Sequence, residues 1–231
     1  MMEKTLKPIL HWLVTLVTPI ILCTLIILVL LSPVFISFEY RRPGFPEDSY
    51  GFSMAERLEF GNQTRRYLVT RDSLDTLRQL EFENGDPIYK ERELSHLEDV
   101  KVVIQGLLRV FYISLVVFTF GGYLAQGNKW QDEFLGAISR GGRLSAILLV
   151  TVLFFTLISF RALFTLFHRI FFEGDSWLFF FSDTLIRLFP MQLWQDVFLL
   201  FGVSTLAVGG FIGWGIPVLR RNLRKEKPES S

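Results

Sequence analysis

Four long apolar stretches limit what this chain can fold into more than any other feature. They cover residues 9–36, 102–124, 144–166 and 197–219. Each of the last three is about twenty residues long, enough to cross roughly 30 Å of hydrocarbon at a rise of about 1.5 Å per residue. In lipid every backbone N–H and C=O must find a partner inside the protein, so each stretch is predicted to be a helix. Half of the 231 residues are hydrophobic, 24 of them Phe. Their gathering into blocks marks an integral membrane protein rather than a soluble core. A formal net charge of +1 offers no field for nucleic acid, and nucleic acid is excluded as a partner. The single cysteine, Cys23, lies inside the first stretch, which leaves no disulfide framework and no cysteine-based zinc site.

The first stretch follows Lys4 and Lys7, as in a secretory signal, but it is too long for one and no small-residue cleavage site follows. It is expected to stay as an uncleaved anchor. Orientation comes from the basic residues of short loops. Lys129, Arg140 and Arg143 separate the second and third stretches, and Arg220, Arg221, Arg224, Lys225 and Lys227 follow the fourth. With Lys4 and Lys7 they agree on one face, which places both termini in the cytoplasm.

The expected fold class is therefore a mainly α membrane protein, a four-transmembrane-helix bundle with a small extracytoplasmic α+β cap. Residues 1–36 form the anchor helix and 37–95 the cap. Residues 96–220 supply three further spans with an outer aromatic loop at 164–196, and 221–231 form a cytoplasmic tail. Within the cap, Ser53-Met54-Ala55-Glu56 reads as a capping box opening a helix. The Asn84-Gly85 turn predicts a hairpin pairing residues 77–83 with 87–92.

Two polar clusters fall on the outer side. One runs Glu93-Leu94-Ser95-His96-Leu97-Glu98-Asp99-Val100-Lys101. The other interleaves His168, Asp175, Asp183 and Arg187 with Phe171, Phe172, Trp177, Phe179, Phe180 and Phe181. Imidazole titrates near neutral pH, so His96 and His168 could serve as a general acid and base. They could equally ligate a metal together with Glu93, Asp99 or Asp175, although no established zinc spacing is present. Each could also be a lone surface ring. Lys101, Gln105 and Arg109 recur every four residues on the second span, and Arg161, Thr165 and His168 share a face of the third. An intramembrane charge normally faces the bundle interior or a water-filled cavity. The stripes thus predict a polar crevice suited to a ligand with ester or anionic oxygens and fatty chains. Snorkelling of Arg109 and Arg161 to the interface is the alternative. Asp183 reads as a helix cap, and Asp175, in a turn after Gly174, as a turn residue or as a carboxylate that orients a histidine.

Three segments carry a resemblance to a known family. They are Glu93-Leu94-Ser95-His96-Leu97 with Asp99-Val100-Lys101, Phe167-His168 with Phe171-Phe172 and Gly174-Asp175-x-Trp177, and Leu185-Ile186-Arg187-Leu188-Phe189-Pro190. In combination they resemble a family of four-span bacterial integral membrane proteins that includes the lipoprotein intramolecular transacylase. The resemblance implies an extracytoplasmic acyltransferase of the bacterial cytoplasmic membrane, without a cofactor or bound metal, acting among membrane lipids. It would move the sn-2 acyl chain of a diacylglyceryl-cysteine lipoprotein onto the cysteine α-amine. It implies catalytic roles for His96 and His168. Arg161, Arg109, Lys101, Asp175, Asp99, Glu93 and Trp177 then become candidates for substrate binding or oxyanion support. No Gly-x-Ser-x-Gly nucleophile is present. A metal-assisted membrane hydrolase and a non-enzymatic membrane subunit that binds lipid or a partner are the competing expectations. Transport is disfavoured by four spans without an inverted repeat.

Overall fold

The computed structural model describes residues 2–127 and 129–225 of the chain. Asn128, residues 226–231 and the side chains of residues 2–6 and 223–225 lie outside that description, and with them most of the expected tail and the charges of Lys4, Arg224, Lys225 and Lys227. The elements are α1 (Met2–Leu30), α2 (Pro33–Arg41), α3 (Met54–Val69), α4 (Asp75–Arg78), α5 (Glu91–Gly127), α6 (Gln131–Phe171), α7 (Thr184–Leu188), α8 (Met191–Gly210), a π-turn at Phe211–Gly215 and α9 (Ile216–Lys225). Among the described residues four segments are long and apolar enough to cross a membrane: Lys7–Leu30, Glu91–Gly127, Gln131–Phe171 and Met191–Asn222. With 37 and 41 residues, α5 and α6 run about 55–60 Å, well beyond the ~30 Å hydrocarbon core. Their ends therefore project past it. The anchor is shorter than the apolar run predicts. Pro33 occupies the first turn of a new helix, and Ser32 caps it by accepting a hydrogen bond from the Phe35 amide at 3.2 Å.

The chain divides into two compact units. The first comprises residues 1–27, 109–154 and 200–231. Its helices approach closely because small residues line the contact. A Cβ on Gly142 would lie 2.8 Å from the Gly209 carbonyl oxygen, and one on Gly209 would lie 2.9 Å from that of Gly142. Neither glycine tolerates a side chain at this backbone separation. Thr15 donates through Oγ1 to the Ala137 carbonyl at 3.2 Å. Lys7 pairs with Glu133 at 2.6 Å, and Arg220 pairs with Asp132. Val110, Ile113, Val116, Phe120, Ile147, Val150 and Phe154 are exposed, as side chains that face lipid must be.

The second unit comprises residues 28–108 and 155–199. Its main core gathers Phe52, Tyr67, Leu68, Leu77, Ile88, Tyr89, Leu94, Leu97, Leu185 and Leu188. A smaller cluster holds Ile36, Tyr40, Phe45 and Leu193. The capping box opens α3: the Glu56 amide donates to Ser53 Oγ at 3.2 Å, and the Ser53 amide donates to Glu56 Oε2 at 2.7 Å. Only five residues long, α7 is held from every side. The Leu185 amide donates to Glu93 at 2.8 Å, and Thr184 Oγ1 donates to the Ile88 carbonyl at 2.5 Å. Tyr40 donates to the Leu188 carbonyl, and Arg57 donates to that of Arg187 at 3.2 Å. Arg187 forks onto Asp48 at 2.9 and 3.1 Å and lies 3.7 Å over the Phe52 ring.

The α+β cap is corrected to an α-helical one. Among the described residues the predicted hairpin is reduced to a single bridge, Glu81 with Pro87. The turn forms, with Gly85 at φ 84° and its amide donating to the Phe82 carbonyl. Helix formation on both flanks takes the rest: Leu77 belongs to α4 and Glu91 opens α5. Pro87 has no N–H to extend a ladder. The backbone of the short remainder closes with two bonds, Phe82 N–H to Asp86 and Ile88 N–H to Leu80.

Candidate active site

The first turns of α5, ahead of its apolar part, carry His96, and the last turns of α6 carry His168. Ser159 breaks α6 with φ −156° and ψ 84°, and its Oγ accepts from the Ala162 amide at 3.4 Å. A separate short leg then continues to Phe171. On that leg Phe160, Phe164 and His168 follow at four-residue intervals and share a face.

Both histidines belong to the second unit, and it brings them together. Their ring centroids are 6.1 Å apart and the rings lie within 20° of parallel. Each is 8 % exposed. Phe172 bridges them, 4.9 Å from His96 and 5.4 Å from His168. Phe179 covers His96 at 5.3 Å, while Phe164 and Trp177 flank His168 at 4.1 and 4.8 Å. The wall is aromatic, and no carboxylate hydrogen-bonds either ring among the described residues. Burial without an anion favours the neutral imidazole.

The hydrogen bonds of the two rings differ. His168 Nδ1 lies 2.8 Å from the Phe164 carbonyl oxygen. A carbonyl only accepts, so Nδ1 carries a proton, and in the neutral ring the lone pair is then on Nε2. His96 Nδ1 is buried without a partner. The pair thus contains one imidazole fixed as a base and a second with an unspent polar atom.

The other candidate residues separate by environment. Trp177 belongs to the pocket wall, with its indole N–H donating to the Gly174 carbonyl at 3.1 Å. Glu93 is fully buried and accepts from the Lys90 and Leu185 amides; it joins the start of α5 to α7. The expected polar stripe on α5 is a tether. Lys101 donates to the Asp72 carbonyl at 2.5 Å and sits 3.9 Å over the Tyr67 ring. Gln105 donates to the Leu68 and Thr70 carbonyls. These bonds satisfy the end of α3. Arg109 belongs to the other unit. Arg109, Arg161, Asp99 and Asp175 are exposed, and among the described residues no side-chain hydrogen bond joins them to a histidine. Arg161 therefore does not face inward as its spacing predicts. No group of three His, Cys, Asp or Glu among the described residues is arranged to hold a metal.

Asp183 has a role that sequence reasoning missed. It stands at the N-cap of α7 but makes no capping bond there. Its buried carboxylate instead accepts from the Phe180 amide at 2.7 Å, from Lys90 Nζ at 2.8 Å and from Arg92. Burial opposes the charge, but Lys90, the Phe180 amide and Arg92 outweigh it and hold the carboxyl below its usual range. Arg92 also lies 4.8 Å over Phe180 and 5.7 Å over Phe179. The node thus fixes the aromatic loop where Phe179 meets His96.

Comparison with known proteins gives a consistent result. A protein of Aquifex aeolicus (strain VF5) described only as uncharacterized is 29 % identical over 188 residues, 81 % of each chain. The solved structure of the membrane-integral lipoprotein intramolecular transacylase Lit from Bacillus cereus superposes with a TM-score of 0.78 at 19 % identity. The match covers 95 % of this chain and 98 % of that one. A form of the same protein with a histidine replaced by alanine gives 0.70 at 17 % identity, over 96 % and 97 %. At such identity the structures establish a shared fold. The family described as lipoprotein intramolecular transacylase Lit matches residues 10–194, most of the chain, and the protein belongs to that family.

Proposed function

We propose that this protein is a membrane acyltransferase that moves the sn-2 acyl chain of a diacylglyceryl-cysteine lipoprotein onto the cysteine α-amine. The observation that carries this reading is the buried pair of His168, whose Nδ1 is held by the Phe164 carbonyl, and His96. The attacking group is an amine with an ordinary pKa of about 7.7–8.0. Its nitrogen forms a bond to the ester carbonyl carbon and loses a proton to His168 Nε2. Collapse of the tetrahedral adduct breaks the bond to the glyceryl oxygen, which takes a proton from the histidine pair. The proton gained equals the proton returned, so no cofactor is needed. Donor and acceptor share one substrate molecule, which supplies their proximity and removes the need for a nucleophilic serine.

Phe172, Phe179 and Trp177 exclude water from the pair, which favours transfer to the amine over hydrolysis. Of the cationic candidates for oxyanion support, Lys101 is already engaged elsewhere. Arg109 and Arg161 are exposed and hydrogen-bond neither histidine among the described residues, so no cation is assigned to that role. The cations of the short segments beside the spans, Lys7, Arg140, Arg143, Arg220 and Arg221, support cytoplasmic termini, and His96 and His168 lie at the ends of α5 and α6 away from the segment that joins those helices.

The test is mass spectrometry of a lipoprotein N-terminus from cells with and without the protein. The expected product carries its new acyl group as an amide and keeps one chain on glycerol. Release of free fatty acid with an unmodified amine would mean a hydrolase.

A further inference from the structure

The first unit contains a basic cavity lined by neither histidine. Asp132, Leu135, Gly136, Ser139 and Arg143 on α6 and Pro217, Arg220 and Arg221 on α9 line an open cavity of about 590 Å³. Three guanidinium groups meet one carboxylate. Arg220 is paired with Asp132. Arg143 spends only Nε, on the Ser139 carbonyl at 3.4 Å. Arg221 is exposed and makes no hydrogen bond or ion pair among the described residues. Each guanidinium has five N–H donors, so most of the donors on Arg143 and Arg221 have no acceptor among the described residues.

The shape of the site is built. The stem of Arg143 lies across Gly213, where a Cβ would come within 2.6 Å of Arg143 Cγ and 2.8 Å of its backbone nitrogen. A side chain at Gly213 would displace the arginine from the cavity wall. Gly136 leaves the floor open, since a Cβ there would meet only Arg140 Nη1, at 3.7 Å.

We propose that this cavity binds the headgroup of an anionic phospholipid, with its phosphate on Arg143 and Arg221. Two neighbouring features select a lipid over a soluble phosphate. Val218 and Leu219, next to the arginines on α9, are 59 % and 53 % exposed. Trp214, one turn before, is 50 % exposed, as an interfacial tryptophan is. A ligand with a phosphate for the arginines and acyl chains for these side chains fills both parts. Basic pockets between spans at the cytoplasmic face recognise such headgroups.

The experiment uses the full-length protein in detergent and reads its thermal stabilisation by added lipid. Phosphatidylglycerol is expected to act at concentrations roughly tenfold or more below phosphatidylcholine, the preference that two net cations near a phosphate provide. Arg221→Gln should weaken the phosphatidylglycerol response about fivefold. Gly136→Phe, which fills the cavity from its open floor, should abolish the preference even where Arg221→Gln leaves some of it. Histidine-dependent transfer should be unchanged in both variants, so this test stands or falls apart from the acyltransferase assignment. A preference for phosphatidylglycerol that survives both substitutions would overturn the proposal. Stabilisation by inorganic phosphate equal to that by the lipid would overturn the lipid assignment.

Discussion

Removing the charges around Asp183 should show which side of the node carries the cost. Asp183 is fully buried, whereas the side chains of Lys90 and Arg92 are 60 % and 41 % exposed. In Asp183→Ala the two cations swing into water, and the main loss is the acceptor for the part-buried Phe180 amide. That deletion should cost about 1 kcal/mol, the net worth of an ordinary hydrogen bond whose donor water can reach. In the double variant Lys90→Ala/Arg92→Ala the carboxylate stays buried without a cation. Stranding a buried charge typically costs about 3–5 kcal/mol, and protonation of Asp183 limits the loss. The cation-deleted protein should therefore be the less stable of the two. For a chain of this size each kcal/mol moves Tm by about 2–4 °C, so the gap is readable by thermal unfolding in detergent. The two also differ in pH response. The folded carboxyl titrates below its unfolded value, so its contribution is complete above the unfolded pKa and is lost as pH falls through the folded pKa. Asp183→Ala should lack this part of the acid sensitivity. An Asp183→Ala protein less stable than the cation-deleted one would refute the reasoning, because the carboxylate would then be worth more than its burial costs.

His96→Ala and His168→Ala should each insert and fold, yet lose transfer activity by about 10²–10⁴-fold. The double variant should fall little further, because residues acting as one unit fail together; purified protein with a diacylglyceryl lipopeptide gives the rates. Ser53→Ala removes the capping box of α3 and should cost about 1 kcal/mol, visible as a lower Tm with transfer intact. Lys101→Met removes the tether from α5 to the Asp72 carbonyl and should lower stability by about 1–2 kcal/mol, with the lipopeptide KM and kcat near those of the parent. A large fall in kcat would return Lys101 to the reacting centre.

Much of the fold was legible because its signals are local. Apolar length marks the four spans, Ser53 and Glu56 mark the start of α3, and Asn84-Gly85 marks its turn. The hairpin failed because twelve residues separate α4 from α5 and both helices grow into them. The features that hold the site are not local. Arg187 and Asp48 are 139 residues apart, and Asp183 lies 93 and 91 residues from Lys90 and Arg92. A periodic pattern carries no trace of such partners. The stripe of Lys101, Gln105 and Arg109 shows the opposite error: a regular spacing invited a functional crevice, whereas two of the three satisfy backbone carbonyls at the end of α3. The aromatic wall had a usable signal in the four-residue spacing of Phe164, His168 and Phe172.

The most direct test of intramolecular transfer is a crossover experiment. Two lipopeptides are mixed with the purified protein, one with a heavy peptide and a heavy sn-2 chain, the other light in both. Tandem mass spectrometry of the products then shows which acyl group each amine received. Direct transfer within one substrate predicts only heavy chains on heavy peptides and light chains on light ones, each as an N-terminal amide. Heavy chains on light peptides, or labelled fatty acid released to solution, would contradict it.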